Sequence, residues 1–315
     1  MEKLRVLVTG GAGYVGSTLC ERLLNEGWHV TVLDNLLHKQ TSLFHLCHRD
    51  GLEFVRGDVR DGELMKRLVT YADVIIPLAA IVGMPACRQL DKDTVWEINV
   101  TSVKRLIELS SKDQVIVYPT TNSGYGTKTG EVTCTEETPL EPVSLYGESK
   151  REAEKLLLNF HPNAVTLRLA TVFGPSARMR MDLLVNDFVY QAITAGCLVL
   201  FEGGFRRNFV HVLDVADGFV HCIKNIDSMC GRCFNLGLDA ANMSKKQLAE
   251  KIKEHVKDLV IIESDLRSDP DKRDYIVSNQ RLREAGFEAK HSLDEGVRGL
   301  MRLYKMLPTD FMRNA

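Results

Sequence analysis

The segment Gly10-Gly11-Ala12-Gly13-Tyr14-Val15-Gly16 constrains this chain more than any other. It stands between a short apolar run, residues 4–8, and a stretch of helical periodicity, Tyr14–Asn25, that stops at Gly27. Glycines spaced G-x-x-G-x-x-G between a strand and a helix permit a tight turn, let backbone approach a pyrophosphate, and let the helix pack closely on the strand. The helix start adds N–H groups and a partial positive charge, which suit a phosphate. The next strand-like run, 29–33, ends at Asp34, eighteen residues beyond Gly16. That is close to the ~20 expected of an acid that takes a ribose. A carboxylate there accepts from both ribose hydroxyls and repels a 2′-phosphate. The first cation that follows is Lys39. The pattern therefore favours NAD over NADP.

Strand-like and helix-like segments go on alternating. Strands are expected at 53–56, 74–78, 115–118 and 165–169, and helices over Gly62–Thr70, 94–110 and Leu145–Phe160. Such a βαβα series implies an α/β fold, a doubly wound parallel sheet of Rossmann type with helices on both faces. After Gly174 the rhythm breaks. A helix over 183–195, a strand over 198–201, a turn at Gly203-Gly204, a sheet-covering helix over 215–223 and a more helical tail from Ser244 are expected. The division that follows is a cofactor domain of 1–172 plus about 208–228. A smaller substrate domain of about 173–207 plus 229–315 closes over the carboxyl edge of the sheet, where open α/β folds bind ligands.

Composition removes whole classes of function. Forty Lys and Arg against 42 Asp and Glu leave a formal charge of −2, which argues against nucleic acid or an anionic membrane as partner. No run of about 18 apolar residues occurs to span a bilayer, and the first ten residues do not read as a secretion signal. The eight cysteines then read as reduced thiols of a cytoplasmic protein. The Cys230/Cys233 pair and the His45-Leu46-Cys47-His48 cluster lack a second ligand pair at metal spacing, so no metal is expected.

Tyr146-Gly147-Glu148-Ser149-Lys150 places a phenol and an ammonium four residues apart, on one helix face. A Tyr near its ordinary pKa of ~10 is a poor base at neutral pH, but an adjacent cation stabilises its phenolate. The third member of such a set is a hydroxyl on the loop after the fifth strand. Thr121 fits, and Thr120 and Ser123 are rivals on spacing alone.

These elements resemble the extended branch of the short-chain dehydrogenase/reductase superfamily, the nucleotide-sugar epimerases and dehydratases. The resemblance spans nearly the whole chain. It includes Asp34-Asn35, Gly57-Asp58-Val59, Leu78-Ala79-Ala80, Asn99-Val100, Thr121…Tyr125-Gly126, Tyr146…Lys150, Arg168…Phe173-Gly174-Pro175 and Arg207-Asn208-Phe209-Val210-His211. It implies a catalytic triad of Thr121, Tyr146 and Lys150. It implies an NAD site formed by Gly10, Gly13, Tyr14, Val15, Gly16, Asp34, Asn35, Asp58, Val59, Leu78, Ala79, Ala80 and Asn99, with Tyr146 and Lys150 at the nicotinamide end. Arg207 and Arg273 would clamp a sugar-nucleotide diphosphate, a role suited to bidentate guanidinium. The partner implied is a nucleotide-diphosphate sugar, and the assembly a homodimer or homotetramer.

Two departures refine this expectation. Family dehydratases follow the catalytic Thr with Asp-Glu, the acid and base of elimination; this chain has Asn122-Ser123, which cannot do that work. Epimerases commonly carry Asn where Thr171 stands. The segments 119–126, 176–188 and 269–275 are most similar to the bacterial GDP-heptose 4-dehydrogenases that begin capsular heptose modification. By that likeness Asn122, Ser123, Arg178, Arg180 and Asn186 become substrate contacts, and the reaction is NAD-dependent oxidation of a nucleotide-sugar C4 hydroxyl, with GDP-heptose as substrate. The alternatives are a 4-epimerase of UDP-glucose/galactose type and, from another class, a non-catalytic NAD-binding regulator.

Overall fold

The computed structural model describes residues 3–128, 132–266 and 273–307. In chain order its strands are β1 (Arg5–Thr9), β2 (His29–Asp34), β3 (Leu52–Arg56), β4 (Val74–Pro77), β5 (Val115–Thr121), β6 (Thr133–Cys134), β7 (Ala164–Leu169), β8 (Thr171–Phe173), β9 (Cys197–Leu200), β10 (Arg206–His211), β11 (Arg232–Leu236), β12 (Asn242–Ser244), β13 (Val260–Glu263) and β14 (Ile276–Val277). Seven form one sheet in the order β11-β7-β5-β4-β1-β2-β3, with every neighbouring pair parallel. This is the expected doubly wound sheet. β4 and β7 are buried along their whole length, as strands covered on both faces must be, although β7 carries Thr166 and Arg168 among its apolar residues. The strand order reverses between β1 and β4, and that switch point is where open α/β sheets leave a crevice at the carboxyl edge.

The helices are α1 (Tyr14–Asn25), α2 (Gly62–Thr70), α3 (Met84–Gln89), α4 (Lys92–Trp96), α5 (Ser102–Leu109), α6 (Leu145–Phe160), α7 (Leu184–Thr194), α8 (Val212–Lys224), α9 (Ile226–Met229), α10 (Lys245–Lys253), α11 (Gln280–Glu284) and α12 (Leu293–Tyr304). Leu19 and Leu23 of α1 and Phe219 and Val220 of α8 bury one sheet face with Val8, Val32 and Val165. Met65 of α2, Leu106 of α5 and Leu157 of α6 bury the other with Leu7, Ile75 and Ile116. The single helix expected over 94–110 is instead α4 and α5 joined by a π-helical turn, Glu97–Thr101. A wide turn of this kind adds a residue to the repeat, so the apolar stripe steps by five from Ile98 to Val103 across it.

Beyond Gly174 a second apolar cluster gathers Phe173, Val185 and Phe188 with Phe209, Leu248, Ile252, Val297 and Leu300. The tail is less helical than expected. It also carries β13, paired with β9, and β14, paired with β6. Among the described residues no helix is long and apolar enough to cross a membrane, and no group of three or more His, Cys, Asp or Glu could hold a metal ion. Cys47 is exposed, and Cys230 and Cys233 are both free thiols.

Candidate active site

The glycine-rich turn, Asp34, the 78–80 segment and Thr121 each lie at or just past the carboxyl end of a strand, on one edge of the sheet. Gly10 has φ +71°, and a Cβ there would lie 2.6 Å from the Ala79 nitrogen; one on Gly16 would lie 2.5 Å from the Gly10 oxygen. Only glycine lets the turn press against both the β4 loop and α1. Helices α2, α4, α6, α10 and α12 have their first turns capped by Asp61, Asp91, Ser144, Ser244 and Ser292. α1 has no side-chain cap and no acidic residue in its first turn. An uncapped helix start beneath a bare glycine turn fits the pyrophosphate of a dinucleotide.

Asp34 is buried, with more of its capacity spent than the ribose role supposes. Its Oδ2 accepts from Ala12 N at 3.0 Å, and its Oδ1 accepts from Leu36 N at 2.8 Å and Gln40 Nε2 at 3.2 Å. A carboxylate has about four acceptor positions, so about one is left for a ribose. Asn35 donates to Asp58 at 3.1 Å. The Arg60 guanidinium, bound to Asp58 at 2.8 and 2.9 Å, holds that carboxyl well below the usual range. Val59 packs against the Leu7–Leu33 core beside it.

At the other end of the crevice, Thr121 ends β5. Its hydroxyl donates to Ser123 Oγ at 2.9 Å, and Ser123 Oγ also receives Arg273 Nη1. Tyr146 stands in the first turn of α6, set by Ser144 accepting from Gly147 N at 3.2 Å. Burial pushes the Tyr146 phenol up to about 12; Arg180, Arg273 and the Thr121 hydroxyl work the other way. Thr121, Tyr146, Arg180 and Arg273 therefore converge. Thr120 is buried within the strand, and Ser123 serves as the link between Thr121 and Arg273. Asn122 is buried, and neither its Nδ2 nor its Oδ1 finds a hydrogen-bond partner.

Lys150, one turn further on, is also buried. Its ammonium lies 3.9 Å from the centre of the Tyr118 ring. Burial lowers its pKa to about 7, against the pull of Glu154. Glu154 is itself committed to Arg168, which reaches it through Nη2 at 2.6 Å and Nε at 3.1 and 3.2 Å. Arg168 also donates to Tyr125 Oη at 3.1 Å and to the Glu136 carbonyl at 3.0 Å. Although burial opposes its charge, Glu154 keeps that guanidinium firmly protonated.

Several expected ligand contacts are wholly or partly taken up by the frame. Asn99, on the π-turn, exchanges hydrogen bonds with Ile81 (2.8 and 3.0 Å) and donates to Ser149 Oγ at 3.0 Å. Its amide ties the β4 loop to α6 and is used up in doing so. Asn186 is fully buried rather than facing a substrate. It accepts from Gly174 N at 3.0 Å and donates to the Arg180 carbonyl at 2.9 Å. The Tyr14 hydroxyl donates to the Gly174 carbonyl at 2.7 Å, so only the backbone of Tyr14 remains for a phosphate. Arg207 is buried against the Tyr275 ring, 5.9 Å from its centre, and donates to the Arg206 carbonyl at 2.9 Å. Arg180 is paired twice with Asp182, at 2.6 and 2.5 Å. Residues 269–272 of the subgroup segment lie outside the described residues. Sequence reasoning missed Tyr118 and Glu154 around Lys150, and Cys87, whose thiol neighbours the Tyr146 phenol. None of them carries a motif signal.

The model of the NAD dependent epimerase/dehydratase family matches residues 6–237. Among curated proteins, the chain is 33% identical to a UDP-glucose 4-epimerase of Mycolicibacterium smegmatis over 248 residues, 74% of this chain and 77% of that one. It is 30% identical to an uncharacterized UDP-glucose epimerase of Bacillus subtilis over 264 residues, 79% of each. Among solved structures, UDP-glucuronic acid 4-epimerase from Bacillus cereus, in complex with UDP-glucuronic acid and NAD, superposes with a TM-score of 0.83 at 26% identity, covering 97% of this chain and 100% of that one. The chain belongs to the NAD-dependent epimerase/dehydratase family.

Proposed function

We propose that this chain oxidises the C4 hydroxyl of a nucleotide sugar to a ketone, and that the sugar is a GDP-linked heptose. The observation that carries this reading is the convergence of Thr121, Tyr146, Arg180 and Arg273 beside an orphaned Asn122 amide. The set holds a base and donors for a hydroxyl, yet no carboxylate stands where elimination of water needs one. A buried amide with both ends unmet is costly, and a polyhydroxylated ligand would satisfy it. Tyr146 takes the proton of the C4 hydroxyl, Thr121 donates to the same oxygen, and Lys150 supports the phenolate and the nicotinamide ribose. NAD, when bound, accepts the hydride that leaves C4. Arg273 and Arg207 serve the diphosphate, and the region of about 173–207 plus 229–315 holds the sugar nucleotide. The setting is a cytoplasmic homodimer or homotetramer supplying a surface polysaccharide.

A second reading is 4-epimerisation, in which the hydride returns to the opposite face of the ketone. The 33% identity to a UDP-glucose 4-epimerase favours it. Purified protein incubated with NAD and GDP-heptose separates the two. Accumulation of a product lighter by two hydrogens, which exchanges deuterium next to its carbonyl, supports oxidation. Inverted sugar with no accumulated ketone from GDP-heptose or UDP-glucose overturns it in favour of epimerisation.

A further inference from the structure

Residues 174–182 form a strap over the glycine-rich turn. Ser176 Oγ donates to the Tyr14 carbonyl at 2.7 Å, meets Ser17 Oγ at 2.9 Å and accepts from Thr18 Oγ1 at 3.3 Å, all on the first turns of α1. Asn186 brackets the strap by bonding both Gly174 N and the Arg180 carbonyl. Two arginines ride on this fixed segment, and they differ. Arg180 is neutralised by Asp182 and faces Tyr146. Arg178 is partly buried. Its guanidinium makes one hydrogen bond among the described residues, Nη1 to the Met179 carbonyl at 2.8 Å, and no ion pair. Of its five N–H donors, the rest are unspent; the charges it feels are those of Arg180 and Asp182 on the strap itself and, beyond the strap, Asp34, and its own charge reaches His38.

Asp34 and Thr121 end strands separated by β1 and β4. Three strand spacings amount to roughly 14 Å. A side chain at Asp34 therefore stands at the end of the crevice away from the reacting sugar. Asp34 itself has little acceptor capacity left for a ribose.

We propose that Arg178 is a cofactor residue, carried by the strap to the adenosine end of NAD, where it binds the ribose and the adjoining phosphate beside Asp34. This rests on reading the glycine-rich turn as the NAD site and reassigns Arg178 from the sugar nucleotide. It also makes the strap common to both ligands: Arg178 answers the adenosine half of the cofactor, and Arg180 the reacting end.

Titration of NADH into purified wild type, Arg178→Gln and Arg178→Lys, followed by nicotinamide fluorescence, tests the assignment with no sugar present. GDP and UDP titrated by calorimetry form the second arm. The expected result is a roughly tenfold or greater loss of NADH affinity in Arg178→Gln, the scale of one charged hydrogen bond. Arg178→Lys should fall in between, because it keeps the charge and loses the fork. GDP and UDP affinities should stay within about twofold. Arg178→Lys is the milder change, and its own deficit for NADH carries the test if the Gln variant fails to fold. Unchanged NADH affinity in the folded variants, with or without weakened nucleotide binding, overturns the proposal. A wild type that oxidises no nucleotide sugar would sink the reaction proposed above and leave the role of Arg178 standing.

Discussion

Two buried cations flank one carboxylate on α6. Arg168 and Lys150 are 6% and 3% exposed, and Glu154 between them is 4% exposed. Arg168 takes the carboxylate in a fork of three hydrogen bonds through Nε and Nη2 and spends both Nη1 donors on Tyr125 and Glu136. Lys150, one helical turn before Glu154, has no carboxylate within ion-pair distance among the described residues and rests on the Tyr118 ring. Burial is common to both, so pairing decides the outcome. Full pairing fixes the Arg168 charge and makes it structural. Incomplete pairing leaves Lys150 near neutrality at about 7, where it can gain or lose a proton. A carboxylate given wholly to Lys150 would have produced an inert ion pair. Shared in favour of Arg168, it leaves a responsive ammonium one helical turn from Tyr146.

The largest effect should come from breaking the complete pair. Arg168→Met leaves the Glu154 carboxylate buried and unmatched, an arrangement that costs about 3–5 kcal/mol. Urea denaturation should show a loss of that size. Adding Glu154→Leu to Arg168→Met should recover part of it, because the uncompensated charge is then gone. A loss under about 1 kcal/mol in the single variant would mean that Glu154 already takes its support from Lys150, and the contrast would collapse.

Lys150→Met should do the opposite. Turnover should fall about a hundredfold, within the range for groups that assist proton transfer. Stability at neutral pH should hold or rise by about 1 kcal/mol, since a poorly paired buried charge has been removed. The same logic fixes a pH dependence. The folded Lys150 pKa, about 7, lies below its ordinary value of 10.5. Below about 7 both states carry the proton and the fold bears the whole cost of burying it. Between about 7 and 10.5 the unfolded chain holds a proton that the folded chain lacks, so stability climbs with pH. Above 10.5 both are neutral and the cost is gone. The stability gap between wild type and Lys150→Met, measured from about pH 6 to about pH 9, should therefore narrow. A constant gap would place the Lys150 proton outside that window.

How far such features could be read in advance depends on the distance over which each is encoded. The glycine turn, Asp34 and the Tyr146–Lys150 pair are local, with spacing tied to a strand end or a helix face, and the sheet brings them to one edge. Thr121 could be separated from Thr120 only once β5 was seen to run to 121, leaving Thr120 buried and Thr121 at the rim. The strap was illegible because Ser176 bonds to α1 some 160 residues earlier in the chain, and nothing periodic records that contact. Asn186 and Asn99 show the converse. Polar residues near a site look like ligand contacts, yet each amide is consumed in holding backbone segments together. Residue type cannot tell a binding amide from a bracing one; counting the partners of each polar atom can.

The smallest expected effect concerns the support Lys150 does have. The face of Tyr118 stabilises the charged ammonium, and such a contact is worth about 0.5–2 kcal/mol. Tyr118→Leu removes the ring, so the neutral form gains and the Lys150 pKa should drop further, by about 0.4–1.5 units. On the proposed mechanism the protonated ammonium supports the Tyr146 phenolate, so the limb of the pH–rate profile on which Lys150 loses its proton should move to lower pH. Tyr118→Phe keeps the ring face and should leave that limb in place, which separates the cation–ring contact from any role of the phenol. Overpacking and cavity effects change stability in both variants but do not move a pKa in one and spare it in the other. If both profiles shift together, the Tyr118 hydroxyl is the active group, and Lys150 is held by something other than the ring beneath it.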